Sequence, residues 1–272
     1  MGVKYFGASV ARKEDPRLLR GKGRFVDDIK LPGLLHAVMV RSPHPHARIK
    51  AIQVETARTH PGVAGVFVYQ DVADNMKPMP SFGAAPPGLL KRLDLTLRTT
   101  PQYPLALDTV RYVGEPVAVV VARNRAEAED AAELVEVDYE PLPTVVDTEA
   151  AARADAPRLF ADWDSNIALH FKHSVGDADA AIEAADVVVK ERFRIQRYSG
   201  IPIECRGLVV EPHAVDAQLT MWVATQFPHA LQEALVQALG WPAHRIRVVA
   251  PEVGGGFGVK ASMYAEEVVL PI

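Results

Sequence analysis

Apolar positions along this chain come in short runs, broken by glycine, proline and charged clusters. That pattern predicts strands alternating with short helices. The run LLHAVMVRS (Leu34–Ser42) predicts a buried strand, and IKAIQVETARTHPGVAGVFVYQDV predicts a strand, a short helix and a second strand. EPVAVVVA (Glu115–Ala122) is the clearest strand of all. Asn124 stands where it can cap a helix over RAEAEDAAELV, and VEVDYEPLPTVVD then returns as a strand. Between these units, residues 74–106 carry Pro78, Pro80, Gly83, Pro86, Pro87, Gly88, Pro101 and Pro104, which forbid long regular elements. A loop of that length within a domain points to function or to a partner contact.

The second half repeats the alternation with different punctuation. The stretch Thr148–Asn166 reads as a linker or crossover, and a boundary near Ala150 divides a first domain, 1–150, from a second, 151–272. Asp177 can cap ADAAIEAA, and DVVVKERFRIQRY (186–198) alternates with a period of two in its second half, predicting a long strand. GLVVEPHAVDAQLTMWVATQ predicts a hairpin turning near Asp216-Ala217. Pro228 suits the first turn of a helix that Gly240 stops, with Ala230, Leu231, Ala234, Leu235, Ala238 and Leu239 on one buried face. RIRVVAPEV is a last strand, and Gly254-Gly255-Gly256-Phe257-Gly258-Val259-Lys260 follows at its carboxyl end. Strand ends of this kind are common cofactor sites.

Composition narrows the function classes. Among 272 residues, 49% are hydrophobic and 24% charged, with a net charge of −4. That balance suits a globular chain with a sizeable core and argues against a dedicated nucleic-acid binder. No apolar run approaches the roughly 20 residues of a membrane span, and the first residues lack a secretory core. Cys205 is the one cysteine. It excludes an internal disulfide and a cluster held by four thiolates of this chain, and it fits a reducing cytoplasm. Redox chemistry here needs an organic or metal cofactor held otherwise.

The glycine loop fails both familiar phosphate fingerprints. Gly254 and Gly256 begin a dinucleotide pattern, but Val259 stands at its third glycine; a P-loop lacks both its second glycine and its hydroxyl, because Val259-Lys260-Ala261 stands there. What remains is bare backbone, which lets a ligand lie against peptide N–H groups, or else a tight turn packed on a neighbouring strand. If KASMYAEEVV starts a helix, its N-terminus adds a favourable place for an anion.

The segment VATQFPHALQEALVQALGWPAHRIRVVAPEVGGGFGVK resembles the molybdenum-binding segment of the xanthine dehydrogenase / aldehyde oxidase / aerobic carbon monoxide dehydrogenase family. RLLRGKGRFVDDIKLPGLLHAVMVRSPHPHARI resembles the opening of that family's α/β-hammerhead domain, and SGIPIECRGLVVE resembles a segment between the two. The resemblance implies an α+β chain: a hammerhead domain followed by the beginning of a molybdopterin-binding domain. It implies a molybdenum–molybdopterin cofactor, with the cytosine dinucleotide as a candidate form and no protein thiolate on the metal. Gln226 matches a glutamine whose amide approaches an oxo ligand of molybdenum; the alternative is a strand-end polar residue making backbone contacts. Gly255, Gly256, Phe257 and Gly258 match the loop beside the metal and pterin. N–H groups near Phe257 and Gly258 are then the expected donors, and the Phe257 ring an expected pocket wall, the alternative being a plain core aromatic. Lys260 either neutralises local negative charge or forms a surface ion pair.

Purine-oxidising members carry a glutamate directly after this lysine; Ala261 stands there and speaks against a purine bound in that way. The sequence resembles more the carbon monoxide dehydrogenase-like branch, which also includes enzymes acting on aldehydes and aromatic heterocycles. The reaction so implied is oxidative hydroxylation with oxygen from water. Electrons leave through Fe–S clusters to FAD on a small and a medium subunit. The implied partners are those two subunits, the remainder of the large subunit and a small-molecule substrate. The family's general base is a glutamate downstream; Glu252, Glu266 and Glu267 do not match it, so no catalytic residue is expected in this chain, and the chain alone is expected to be inactive. The rival expectation is a non-catalytic remnant or assembly module that keeps fold and subunit contacts. Outside this pattern, His44 and His46 have a metal-like spacing without a third ligand and suit a structural loop. Cys205 reads as a small buried residue, and the acidic helix after Asn124 as a solvated face.

Overall fold

The computed structural model describes residues 7–80, 87–93 and 95–272; of the loop-forming residues named above, Gly83 and Pro86 lie outside them. Nine strands form three three-stranded sheets among the described residues. They are β1 (His36–Arg41), β2 (Ala47–Gln53), β3 (Val63–Val68), β4 (Thr109–Val110), β5 (Pro116–Ala122), β6 (Glu136–Pro141), β7 (Leu208–His213), β8 (Gln218–Val223) and β9 (Ile246–Val249).

The first sheet has the order β1-β5-β3, with both neighbours antiparallel to β5, so that Val120 lies opposite Val38 on one side and Val66 on the other. A central strand needs apolar side chains on both faces, and the unbroken run PVAVVVA supplies them. Ala118 and Val120 pack with Val54, Ala57 and Ala131 on one side. Val119 packs with Val72, Met76 and Leu105 on the other. Helix α1 (Glu55–Arg58) lies between β2 and β3, as expected. Helix α2 (Arg125–Glu133) begins where Asn124 accepts a hydrogen bond from the Glu127 N–H, and it lays fully buried Ala128 and Ala131 inward. Arg123–Glu127 and Arg125–Glu129 ion pairs line its wet side, as a solvated face should. The second sheet has the order β4-β2-β6. His46 enters it buried, its Nδ1 2.8 Å from the Pro143 carbonyl, and the His44 ring leans on Tyr139. Both histidines thus have structural neighbours.

The third sheet is β7-β8-β9, with β7 antiparallel and β9 parallel to β8. Ala217, at φ 52, makes the hairpin turn near the predicted place. Helix α3 (Ala178–Glu183) precedes this sheet, its N-cap Asp177 accepting from the Ala180 N–H. Helix α4 (Pro228–Leu239) is the β8-to-β9 crossover. It starts on Pro228, stops on left-handed Gly240, and buries Leu231, Ala234, Leu235, Ala238 and Leu239 against Met221, Val223 and Ile246. Burying each leucine stabilises the unit by roughly 2 kcal/mol.

Three expectations are corrected. Residues 186–198 form no strand: they lie on the surface without a regular element, with Phe193 and Ile195 85% and 89% exposed. Alternation describes a strand's faces, but a strand also needs a neighbour for its N–H and C=O groups, and no described segment pairs there. Arg192 and Arg194 instead reach Glu149 and Asp147. Cys205 is exposed, because the segment carrying it lies over the glycine loop instead of entering a core. The last helix, α5 (Ala265–Val269), starts five residues after Lys260, and its first turn is closed by Glu267, whose carboxylate accepts from the Tyr264 N–H at 2.9 Å. The chain's own acid occupies the place foreseen for an anion.

Candidate cofactor-binding site

The glycine loop leaves the carboxyl end of β9 and passes directly under the segment that joins β8 to α4. Thr225 and Gln226 form that junction. The Gln226 N–H donates to the Lys260 carbonyl at 2.9 Å, and the Thr225 hydroxyl to the same oxygen at 3.3 Å. Gln226 Oε1 in turn accepts from the N–H groups of Gly258, at 3.0 Å, and Lys260, at 3.3 Å. Two backbone donors fix which end of the amide faces the loop, so Nε2 is turned away from it. Among the described residues Nε2 has no partner, and Gln226 is exposed. The site thus presents a neutral N–H₂ donor outward on a rigid support.

The glycines are dictated by these approaches. A Cβ on Gly256 would stand 2.5 Å from the Gln226 Cδ and Oε1, and one on Gly254 would stand 2.5 Å from the Glu204 Cβ. Gly255 (φ 99), Phe257 (φ 50) and Gly258 (φ 87) all have left-handed backbone. Phenylalanine is costly there, and such strain is kept only where the surroundings over-determine it. The N–H groups of Gly255, Gly256 and Phe257 donate to no described residue. The free donors are therefore Gly255 to Phe257. The Gly258 N–H, expected among them, is taken by Gln226.

Phe257 is 73% exposed and is no core aromatic. Its ring stands at the open rim beside Gly200 and Gly255. Lys260 is the opposite case. Its side chain is fully buried, and Nζ meets Glu204 Oε2 at 2.7 Å. A surface ion pair is thereby excluded, and the negative charge that Lys260 neutralises belongs to Glu204. The same oxygen accepts from the Gly254 N–H at 2.7 Å, while Glu204 Oε1 is buried with no partner among the described residues.

The other acids near the loop are occupied. Glu252 accepts from the Arg24 N–H and pairs with Arg17, whose hydrogen bond holds its carboxyl below the usual range. Glu266 is held between Arg41 and Arg206. Glu267 is buried, and desolvation raises its pKa from 4.5 to about 7. The Arg206 guanidinium lies 3.7 Å from the centre of the Tyr264 ring, and the Tyr264 hydroxyl donates to the Val259 carbonyl.

Residues 159–272 match the family described as the molybdopterin cofactor-binding domain, and residues 20–143 match the aldehyde oxidase and xanthine dehydrogenase a/b hammerhead domain. The chain belongs to the large-subunit family of xanthine dehydrogenase, aldehyde oxidase and carbon monoxide dehydrogenase. Within this family it is 38% identical to the carbon monoxide dehydrogenase large chain of Afipia carboxidovorans, over 95% of this chain and 32% of that one. It is 36% identical to the nicotine 6-hydroxylase large subunit of Paenarthrobacter nicotinovorans, over 98% of this chain and 31% of that subunit. It superposes on quinoline 2-oxidoreductase from Pseudomonas putida 86 with a TM-score of 0.86 at 38% identity, covering 97% of this chain and 32% of that one. The chain spans about a third of the length of these relatives.

For a member of this family, the described residues bring the Thr225-Gln226 junction and the glycine loop into one place, as the motif pair implied. Glu204 was not singled out from the sequence. The available signal was an acid set between Ile203 and Cys205 in an otherwise apolar IPIEC stretch.

Proposed function

We propose that this chain supplies part of the cofactor site of a molybdenum hydroxylase large subunit. The observation carrying this reading is the Gln226 Nε2, turned away from the loop, beside three successive N–H groups, Gly255 to Phe257, that donate to no described residue. That donor set fits an oxo-bearing, anionic pterin group. It consists of neutral donors without thiolates, and the loop that carries it has to be bare, because Cβ atoms on Gly255 and Gly256 would collide with Phe257, Pro202 and Gln226. When bound, a molybdenum–molybdopterin cofactor, the cytosine dinucleotide being a candidate form, supplies transfer of a water-derived oxygen to carbon and acceptance of two electrons. Gln226 orients an oxo group by donating to it, which needs no change of charge. The Gly255–Phe257 amides hold the group's edge without a side chain intervening, and the Phe257 ring shields the rim from water. Lys260 acts from within, through Glu204.

On this reading Fe–S and FAD centres on small and medium partner subunits would accept the electrons, and the general base would be a glutamate outside the residues of this chain. The substrate class is carbon monoxide, an aldehyde or an aromatic heterocycle; Ala261 offers no carboxylate to a purine. On this reading the domain boundary falls near Ala150, a position that the matched ranges, 20–143 and 159–272, leave open. Among the described residues no helix is long and apolar enough to cross a membrane, and a cytoplasmic setting suits the single cysteine.

The test is metal and pterin analysis of the chain co-expressed with its genomic neighbours. Molybdenum and pterin close to one per complex are expected, with a marked loss in Gln226→Ala. A purified complex containing neither group overturns the reading and favours the assembly module.

A further inference from the structure

We propose that Glu204 is the positioning residue of the glycine loop, one carboxylate that ties the loop's entry to its exit. The loop has to hold three left-handed residues, Gly255, Phe257 and Gly258, in one arrangement. Backbone of that kind relaxes unless both ends are held. Gln226 holds the exit side only, through Gly258 and Lys260. The entry side is held by Glu204: Oε2 accepts from the Gly254 N–H at 2.7 Å, and the Glu204 N–H donates back to the Gly254 carbonyl at 3.3 Å. The same Oε2 accepts from Lys260 Nζ at 2.7 Å, so entry and exit meet on one atom.

The arrangement is costly to misplace. Lys260 is 1% exposed, and an ammonium taken wholly out of water needs its carboxylate. Gly254 has no room for a Cβ beside Glu204, so the close approach is built into both residues. The strap continues two residues on, where Arg206 covers Tyr264 and Tyr264 holds the Val259 carbonyl. Residues 204–206 thereby act on the loop at Gly254, Val259 and Lys260. Between them, Gly255 to Phe257 are tied through the Gly256 carbonyl, which accepts from the Val259 N–H at 3.0 Å, while their own N–H groups donate to no described residue. The inference rests on the proposed function only for what that span binds; the clamp itself is a property of the chain.

Residue-resolved hydrogen exchange on the full chain, without cofactor, tests it. Two double variants remove the buried charges together: Glu204→Gln with Lys260→Met, and Glu204→Ala with Lys260→Met. Glutamine keeps an oxygen for the Gly254 N–H and alanine does not. Gly254 exchange is expected to stay within about threefold of the parent in the glutamine variant and to quicken about tenfold or more in the alanine variant. Exchange within α4 should stay unchanged in both. Equal Gly254 exchange in the two variants overturns the clamp. If the alanine variant does not fold, the glutamine variant decides alone, since Gly254 exchange there at the rate of a free loop also overturns it. No cofactor enters this measurement, so a complex found to lack pterin would sink the proposed function and leave the exchange result standing.

Discussion

Gly256 and Gln226 occupy one space, and a substitution at either is felt by the other. A methyl at Gly256 would stand 2.5 Å from the Gln226 amide and push it off the Gly258 and Lys260 N–H groups. Gly256→Ala is expected to cost about 1–3 kcal/mol in chemical denaturation. Gln226→Ala alone should cost about 1 kcal/mol, and the double variant clearly less than the sum, because the clash disappears with its partner. Strict additivity would mean that the two do not touch. A second residue-scale test concerns Glu267. Burial raises its pKa to about 7 in the folded chain, against 4.5 ordinarily. The folded state therefore keeps a proton that the unfolded state has released between those values. Stability falls as pH rises through 4.5 to 7, then levels off, with a total penalty on the order of 3 kcal/mol. Glu267→Gln keeps an oxygen for the Tyr264 N–H and should flatten that slope, giving a variant more stable than the parent at pH 8. Parallel stability–pH curves for parent and variant would refute the assignment.

At the scale of elements, the segment 186–198 separates what alternation predicts from what pairing permits. With Val187, Val189, Phe193 and Ile195 exposed and no ladder holding its backbone, it should be the first place that trypsin cuts the chain, at Lys190, Arg192, Arg194 or Arg197. First cleavage within α2 or β5 would contradict this. The same contrast marks how much was legible beforehand. Elements closed by local signals were readable: Asn124 capping α2, Pro228 opening α4, Gly240 ending it, and the Ala217 turn all lie within a few residues of the contacts that make them. The meeting of Gln226 with the glycine loop came from motif resemblance, not from periodicity, since 32 residues separate Gln226 from Gly258. Glu204 and the inward turn of Lys260 were not readable, because a charge pair 56 residues apart leaves no local pattern. Whether a lysine faces water or a carboxylate is decided only by packing. Cys205 was misjudged for the same reason, its small size suggesting a core that this segment never enters.

At the scale of the whole molecule, α5 joins the two units with adjacent residues. Val268 belongs to the core of Met221, Leu231 and Leu235, while Val269 belongs to that of Val72, Met76, Leu105 and Val119 beneath the first sheet. Two residues before Val268, Glu266 links Arg41 of β1 to Arg206 of the strap over the loop. Burial tends to raise the Glu266 carboxyl, but Arg206 and Arg41 together hold it below its usual value, so it stays charged between them. The hammerhead unit thus reaches the loop's far side through this short helix, beside the Arg24 contact with Glu252 at the loop's entry, and coupling between units should depend largely on the helix. Val269→Ala combined with Glu266→Gln removes apolar contact from the first core and the charge that joins the two arginines, yet leaves Val268 and the second core intact. The parent is expected to give one calorimetric transition, since neither unit can melt without exposing α5. The variant should lose about 2–4 kcal/mol and resolve into two transitions, the lower one belonging to the first sheet. Exchange at Ala118 to Val121 should then rise with that lower transition while Leu231 to Leu235 stay protected. A single transition, lowered but undivided, would place the coupling elsewhere, in the Arg24–Glu252 contact or in that of Lys77 with the end of α4, where the Lys77 N–H donates to the Ala238 carbonyl at 2.6 Å.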